Sequence, residues 1–292
     1  MDNSVPIHKP FPSLGQAALL VLAVIGIQMA YGVVFGTVDA ALRIAGINIG
    51  TPLVAQPLIL AITNIVALGL PLIFGVLYQK ARFSEVLPLG KPQSPLLVLA
   101  IIVTAVGVVV LSSEVDNFTR MFFPPPDWVA EMFGHLADAK AHPIQSGFLL
   151  VVVAPVTEEF FFRGLILRGL LSRYSISRAI ILTALLFTAL HLNPWQFFSA
   201  MLLGTLLGWW FVRTKTLTVC LLGHAIANGM VFAQAFMPFE IQGFNSDPAS
   251  ARSGQLQPLW FDATGLLLFL GGLLTFHIAC RRDTKTNTLV SA

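Results

Sequence analysis

The segment from Phe148 to Leu171, FLLVVVAPVTEEFFFRGLILRGLL, is mainly apolar but contains Glu158, Glu159 and Arg163. Crossing the hydrocarbon core of a bilayer takes about 20 apolar residues, so this segment is long enough to span a membrane. Ionisable side chains are costly to insert at that depth and by default indicate a functional site. The stretch therefore predicts a site that lies within a membrane.

The composition of the whole chain agrees with a membrane location. The 292 residues are 56% hydrophobic and 11% charged, and the mean hydropathy is +0.80. Soluble domains carry about 25% charged residues, so the composition excludes an ordinary soluble enzyme. The net charge of +3 is small and the basic residues cluster at the ends of apolar segments, so we expect no nucleic-acid partner. Cys220 and Cys280 fall in apolar segments, which argues against a disulfide.

Hydropathy predicts an all-α, polytopic membrane protein with about eight transmembrane helices, and residues 1–292 are expected to form a single integral membrane domain. The predicted spans are Leu14–Val38, Leu53–Tyr78, Leu96–Ser113, Gly147–Leu171, Ser177–His191, Pro194–Val212, Leu217–Phe236 and Leu259–Cys280. The fifth span is short, and Asn193-Pro194 ends it because the residue before a proline disfavours the helical conformation.

The distribution of Lys and Arg predicts the orientation. If the N-terminus is inside, most basic residues lie at cytoplasmic ends of the spans, and the outer loops hold only four: Arg43, Arg120, Lys140 and Arg252. Both termini are therefore predicted to be cytoplasmic. The longest connection, Glu114–Ser146, would lie outside, with Val129–Ala139 resting on the membrane interface as an amphipathic helix. A lid over the substrate is the alternative for this connection. We expect a multi-pass protein of the cell membrane, and the short tails and loops suggest the prokaryotic cytoplasmic membrane.

Helical spacing separates the two glutamates. Residues of an α-helix are about 100° apart, so Glu159 and Arg163 share a face, whereas Glu158 lies about 140° from Arg163. Arg163 is therefore predicted to pair with Glu159, which leaves Glu158 free to act as a general base. A purely structural ion pair between helices is the alternative. It does not account for Glu158, because a second buried acid is destabilising unless it has a role.

Two further polar positions occur in later spans. His191 ends the fifth span, and at 1.5 Å per residue both it and Glu158 lie about 20 Å from the inner face of the membrane. Their helices are antiparallel neighbours, so the two side chains could hold a water molecule between them. His224 and Asn228, four residues apart on the seventh span, offer two hydrogen-bond donors on one face and form a candidate oxyanion hole. Hydrogen bonding between helices is the structural alternative for this pair.

A metal site is the minority alternative. Glu158, His191 and His224 match a zinc triad in number and type. The sequence, however, contains neither the His-Glu-x-x-His motif of zinc peptidases nor the Glu-x-x-His motifs of di-iron bundles. We therefore predict no cofactor.

Three motifs occur in order on the fourth, fifth and seventh predicted helices: Glu-Glu-x-x-x-Arg at 158–163, Phe-x-x-x-His at 187–191 and His-x-x-x-Asn at 224–228. In this order and spacing they resemble the CAAX protease and bacteriocin-processing family. The resemblance covers about 148–236, which we take as a four-helix catalytic core. Eukaryotic members of the family cut three residues from prenylated C-termini, whereas prokaryotic members act on varied partners, so the resemblance implies no particular substrate.

The family resemblance implies an eight-helix, glutamic-type intramembrane endopeptidase. Glu158 and His191 would activate the hydrolytic water, and His224 with Asn228 would stabilise the oxyanion. Two further residues would support this site: Glu159 and Arg163.

The predicted activity is hydrolysis of a peptide bond in a membrane-associated protein or peptide. Water would attack directly, because no Ser or Cys nucleophile accompanies the polar residues. Two non-enzymatic functions remain open: a membrane scaffold or immunity protein that binds without cutting, and a proton-coupled transporter, since buried Glu, Arg and His also mark proton relays. A transporter more often contains inverted repeats, which the sequence lacks. The sequence does not predict the oligomeric state.

Overall fold

The computed structural model describes residues 11–90, 94–126, 140–246 and 254–290, and for 282–290 it describes the backbone alone. All regular secondary structure within these ranges is helical. Six of the described helices are long and apolar enough to cross a membrane. The prediction of an all-α polytopic membrane protein is therefore confirmed.

The described helices are numbered in chain order: α1 (Leu14–Ile44), α2 (Pro57–Tyr78), α3 (Phe83–Val86), α4 (Pro95–Phe122), α5 (143–171), α6 (Ile176–Leu190), α7 (Phe197–Thr214), α8 (Leu217–Gln234) and α9 (Leu259–Val290). Short 3₁₀ turns, Leu53–Ala55 and Pro194–Gln196, precede α2 and α7. Each of the eight predicted spans coincides with one of these helices. Two of the eight are not among the six long apolar helices: α5, which mixes α and π geometry, and α6, which has 15 residues. The number of spans and the cytoplasmic location of both termini stay predictions.

Side-chain hydrogen bonds cap the N-termini of several helices. At the start of α1 the Ser13 hydroxyl accepts from the Gln16 amide, and the Gln16 side chain accepts from the Ser13 amide at 2.8 Å. This reciprocal pair is a capping box, which satisfies amides that have no partner in the helix. Thr216 caps α8 and also accepts a hydrogen bond from the Gly90 amide at 2.8 Å, which ties the segment after α3 to the start of α8.

The predicted outer loop Glu114–Ser146 is wrong at both ends. α4 continues to Phe122, so Arg120 lies in a helix rather than in a loop, and α5 begins at Pro143. Hydropathy ended α4 early because its last turns are polar. These polar groups are partnered inside the protein: Glu114 accepts from the Gln257 amide at 2.8 Å, and Asn117 donates to the Gly243 carbonyl at 2.6 Å. The predicted interfacial helix, Val129–Ala139, lies outside the described residues.

α9 also extends beyond its predicted end at Cys280 and packs along α4. Glycines allow the two backbones to approach closely. A Cβ atom on Gly107 of α4 would lie 2.4 Å from the backbone nitrogen of Phe269 on α9, and a Cβ atom on Gly272 would lie 2.3 Å from the Thr104 hydroxyl. Small residues are the usual means of close packing between membrane helices. This contact holds α4 in the position from which it lines the cavity described below.

α5 lies at the centre of the bundle and contacts α2, α6, α7 and α8. Its side chains Phe161, Phe162, Ile166 and Leu167 are fully buried. α1, in contrast, exposes large apolar side chains such as Leu19 and Val33, as expected for a helix that faces lipid. The helix with the acidic motif is thus enclosed by protein on the sides where its ionisable groups lie.

Candidate active site

The backbone of α5 departs from regular α geometry on both sides of the acidic residues. The α-helical turn Ala154–Glu159 is flanked by two π-helical segments, Leu149–Val153 and Phe160–Leu167. The Ala154 amide bonds the Leu149 carbonyl, five residues earlier. Segments of π-helix occur frequently at functional sites, where they change the direction in which side chains project.

The first π segment explains one side-chain contact of the site. In its pattern the residue after Ala154 would donate to the Leu150 carbonyl, but that residue is Pro155, which has no N–H group. The Leu150 carbonyl accepts instead from the side-chain amide of Asn228 on α8, at 3.0 Å. Asn228 is therefore anchored by one of its two N–H groups, and the other is free for a ligand.

Glu159 and Arg163 form the predicted ion pair. Arg163 Nη1 donates to Glu159 Oε1 at 2.7 Å, and both side chains are fully buried. The guanidinium also donates from Nη2 to the Gly204 carbonyl on α7 at 2.9 Å, and it lies 4.9 Å from the centre of the Phe187 ring. The pair thus connects α5 to α6 and α7. The predicted pairing is confirmed, although Arg163 lies in a π segment rather than in the regular helix that the spacing assumed.

His224 lies between the two glutamates, a relationship that the sequence did not predict. Its Nδ1 lies 2.8 Å from Glu159 Oε1, and because that carboxylate is paired with Arg163, Nδ1–H donates. Its Nε2 lies 3.8 Å from Glu158 Oε2, which is too long for a direct hydrogen bond and forms an ion pair only when the ring is protonated. His224 therefore joins the buried ion pair to Glu158.

His191 is oriented by the first residue of its own motif. Its Nδ1 lies 2.8 Å from the Phe187 carbonyl, which can only accept, so Nδ1 carries the proton and Nε2 has a free lone pair in the neutral ring. The Phe187 ring is buried and meets the rings of His191 and His224 edge-on, with centroids at 4.8 and 5.9 Å. The backbone carbonyl of residue 187 thus fixes the tautomer of His191, and the Phe187 side chain contributes the ring contacts to both histidines.

A cavity of about 500 Å³ brings four predicted site residues together: Glu158, His191, His224 and Asn228. The other two predicted residues, Glu159 and Arg163, do not line it but are buried behind it. The Glu158 side chain is 12% exposed and that of Glu159 is 0% exposed, so Glu158 is the glutamate available to a molecule in the cavity. Four of the six predicted residues therefore form part of the cavity wall, and the other two pack behind that wall.

α4 contributes a polar wall that the sequence analysis missed. Ser112, Asp116 and Arg120, spaced four residues apart on one helix face, all line the cavity. The regular spacing was visible in the sequence. It was overlooked because the predicted helix ended at Ser113.

In the described ranges, no group of three or more His, Cys, Asp or Glu side chains is placed so that it could hold a metal ion. The zinc triad of Glu158, His191 and His224 is therefore not supported by the arrangement of these side chains. The absence of a cofactor stays a prediction.

One comparison with known proteins gives a match. Residues 140–230, about a third of the chain, match a protein-family model described as type II CAAX prenyl endopeptidase Rce1-like. The match contains all three motifs and confirms the resemblance to the CAAX protease and bacteriocin-processing family. It supports the general class of a CAAX protease-like membrane peptidase. No curated protein and no solved structure matches the chain.

Proposed function

We propose that the protein is an intramembrane endopeptidase. In this proposal a water molecule, activated by Glu158 and His191, attacks a peptide bond of a membrane-associated protein or peptide. The observation that carries the proposal is the shared cavity: Glu158, His191, His224 and Asn228 all line it. The family match over 140–230 supports the same class of reaction.

The base in the proposed reaction is Glu158, assisted by His191. Glu158 reaches the cavity and has no hydrogen-bonded cation, in contrast to Glu159. The free Nε2 of His191 can accept a hydrogen bond from the same water. The water oxygen forms a bond to the carbonyl carbon, and its proton passes to Glu158 and then to the leaving amine as the C–N bond breaks. General-base assistance of this kind contributes a factor of about 10² to 10⁴ in rate.

The oxyanion of the tetrahedral intermediate would be stabilised by His224 and Asn228. When both ring nitrogens of His224 carry protons, Nδ1 donates to Glu159 and Nε2–H is available to the oxyanion. Asn228 has one N–H group left after its bond to Leu150. Removing a single oxyanion donor typically lowers kcat by about 10² to 10³.

Glu159 and Arg163 would act as positioning residues in this scheme. Glu159 holds Nδ1 of His224, and Arg163 neutralises Glu159 while bonding the Gly204 carbonyl. Neither side chain reaches the cavity. Their contribution would be the orientation of His224.

The proposed substrate is a membrane-associated protein or peptide, with or without a prenyl group. The matching family is described by its prenyl endopeptidase activity. Prokaryotic members of the broader family act on varied partners, so the proposal does not require prenylation.

Mass spectrometry of protein termini tests the proposal and can identify the substrate. Membrane fractions are compared from three strains: one without the protein, one complemented with wild type, and one complemented with Glu158→Gln. We expect new protein ends with wild type that are missing from the other two strains. Ends restored equally by Glu158→Gln would mean that the protein acts by binding, as a scaffold or immunity protein would.

A further inference from the structure

One end of the cavity carries polar side chains that the proposed reaction does not use. The last turns of α4, the turn before α7 and the end of α8 meet there, and each contributes one polar residue to the cavity wall. The three residues are Arg120, Gln196 and Gln234, which together form the donor cluster. The Phe123 carbonyl accepts from the Trp195 indole and so ties the end of α4 to the turn before α7.

The side chains of the donor cluster are accessible and have no partner in the described part of the chain. Gln196 is exposed, and Arg120 and Gln234 are partly exposed. None of the three side chains makes a hydrogen bond or an ion pair to a described residue. A guanidinium stays ionised and can only donate, and each side-chain amide adds an NH₂ group. The donors are thus available to a molecule that enters the cavity.

Other polar side chains at this end have partners inside the protein. Ser113 and Asn117 both donate to the Gly243 carbonyl, and Ser199 donates to the Gln196 carbonyl. The bonds to Gly243 connect α4 to the segment after α8. The side chains of the donor cluster take no part in these bonds, so their polar groups do not hold the helices in place.

The charge of Arg120 has no ion-pair partner in the cavity. Arg120 is the one Lys or Arg among the described residues that line the cavity. Asp116 and Glu158 line it as well, but neither is within ion-pair distance of Arg120. Asp116, one turn earlier on α4, interacts with the charge of Arg120 over a longer distance and with the Ser199 side chain. A cation in a cavity with apolar walls attracts an anionic group more strongly than it would in water.

We infer that Arg120 binds a carboxylate of the substrate, with Gln196 and Gln234 as additional hydrogen-bond donors. This inference rests on the proposed function, because the cavity must bind a peptide. A guanidinium and a carboxylate match in shape and form two parallel hydrogen bonds, which makes Arg the side chain best suited to this group. A peptide offers a carboxylate from two sources, an Asp or Glu side chain and its own C-terminus, and the chemistry is the same for both.

The length of the cavity limits how far this carboxylate lies from the cut. The cavity follows α4 from Val108 to Arg120, which is about 18 Å at 1.5 Å per residue. An extended peptide covers about 3.3 to 3.6 Å per residue, so about five residues span that length. The carboxylate is therefore expected within about five residues of the scissile bond.

The test uses the full-length protein in liposomes and membrane-anchored peptides with an apolar sequence around the cut. In one set each position near the cut carries Asp, Asn or Lys, and the C-terminus is amidated. In a second set, without internal acids, the peptide ends at different distances from the cut, as the free acid or as the amide. Products are quantified by mass spectrometry for wild type, Arg120→Gln and Arg120→Glu, with Glu158→Gln as the background without catalysis. Arg43→Gln is the matched control, because Arg43 pairs with Asp39 and does not line the cavity.

Wild type is expected to cleave a carboxylate peptide faster than the matched amide peptide. A preference for Asp over Asn assigns the contact to a side chain, and a preference for the free acid assigns it to the C-terminus. Arg120→Gln should lower kcat/KM for the preferred peptide by about 10- to 100-fold, because charge-assisted hydrogen bonds are lost, and should spare the amide peptides. Arg120→Glu should reject the carboxylate further and should favour Lys where wild type favours Asp. Arg43→Gln should match wild type.

An unchanged preference in folded Arg120→Gln overturns the inference while leaving the proposed function intact. If the Arg120 variants do not fold, wild type decides, and equal cleavage of carboxylate and amide peptides at every position and length overturns the inference. If wild type produces no more cleavage than Glu158→Gln, the proposed function fails and the inference falls with it.

Discussion

His224 and Glu159 are joined by a hydrogen bond of 2.8 Å between Nδ1 and Oε1, and the same oxygen accepts from Arg163 at 2.7 Å. The second carboxylate, Glu158, lies on the other side of the ring, 3.8 Å from Nε2. The adjacent glutamates therefore lie in different environments. Glu159 is fully buried and accepts a hydrogen bond from the histidine, and Glu158 lines the cavity together with the histidine.

The buried ion pair should contribute strongly to stability. Arg163→Leu leaves Glu159 charged and fully buried, and breaking a buried pair in this way costs about 3–5 kcal/mol. Arg43→Leu is the matched control: it breaks another pair with i, i+4 spacing, but Arg43 is 55% exposed, so a loss of about 0–1 kcal/mol is expected. Thermal unfolding in detergent measures both. Equal, small changes in Tm would contradict the structural role assigned to Arg163.

Asn228→Ala should affect both catalysis and stability. It removes a proposed oxyanion donor, which should lower kcat by about 10² to 10³, and it leaves the Leu150 carbonyl unpaired, at a cost of about 1–3 kcal/mol. Gln79→Ala removes a bond from a side-chain amide to the Gly75 carbonyl outside the cavity, and that carbonyl keeps its bond from the Gln79 backbone amide. This control should change neither turnover nor stability appreciably. If Asn228→Ala turns over at the wild-type rate, Asn228 is only an interhelical contact.

Because α4 and α9 approach closely at Gly107, adding a methyl group at this position should destabilise the protein. In Gly107→Ala the new Cβ atom would lie 2.4 Å from the Phe269 backbone nitrogen, so the helices must separate, at a cost of about 1–3 kcal/mol. Gly32→Ala in α1 meets nothing within 4 Å and should be neutral or slightly stabilising. Thermal unfolding distinguishes the two variants, and a neutral Gly107→Ala would argue against the observed packing.

Activity should survive removal of metals. The described side chains offer no cluster of three or more metal-binding groups, and the proposed reaction relies on side-chain acids and bases. Cleavage is measured after thorough chelation and again after adding back single metals. Loss of activity that zinc alone restores would revive the zinc triad of Glu158, His191 and His224.

The short-range relationships in the site could be predicted from the sequence. Glu159 with Arg163 and Phe187 with His191 are each four residues apart, and each pair makes its contact within one helical turn. Such contacts depend on local geometry, which persists even where α5 changes to π-helix.

The long-range relationships could not be predicted. The contact of His224 with both glutamates depends on how α8 is rotated and tilted against α5, and counting residues along straight helices does not give that rotation. The anchoring of Asn228 depends on a π segment and on Pro155, and the sequence signals for π-helix are weak. The polar wall on α4 was not predicted because Asp116 and Arg120 were assigned to a loop. Hydrogen bonds from Glu114 and Asn117 to the segment before α9 stabilise the last turns of α4.

The turnover of Glu158→Gln tests whether Glu158 is the catalytic base. The substrate is one identified from wild-type protein ends, and both proteins are compared in liposomes. The substitution preserves the size and shape of the side chain while removing its ability to take a proton. We expect kcat to fall by about 10² to 10⁴, with Tm and KM nearly unchanged. Turnover close to that of wild type would contradict the assignment of Glu158 as the catalytic base.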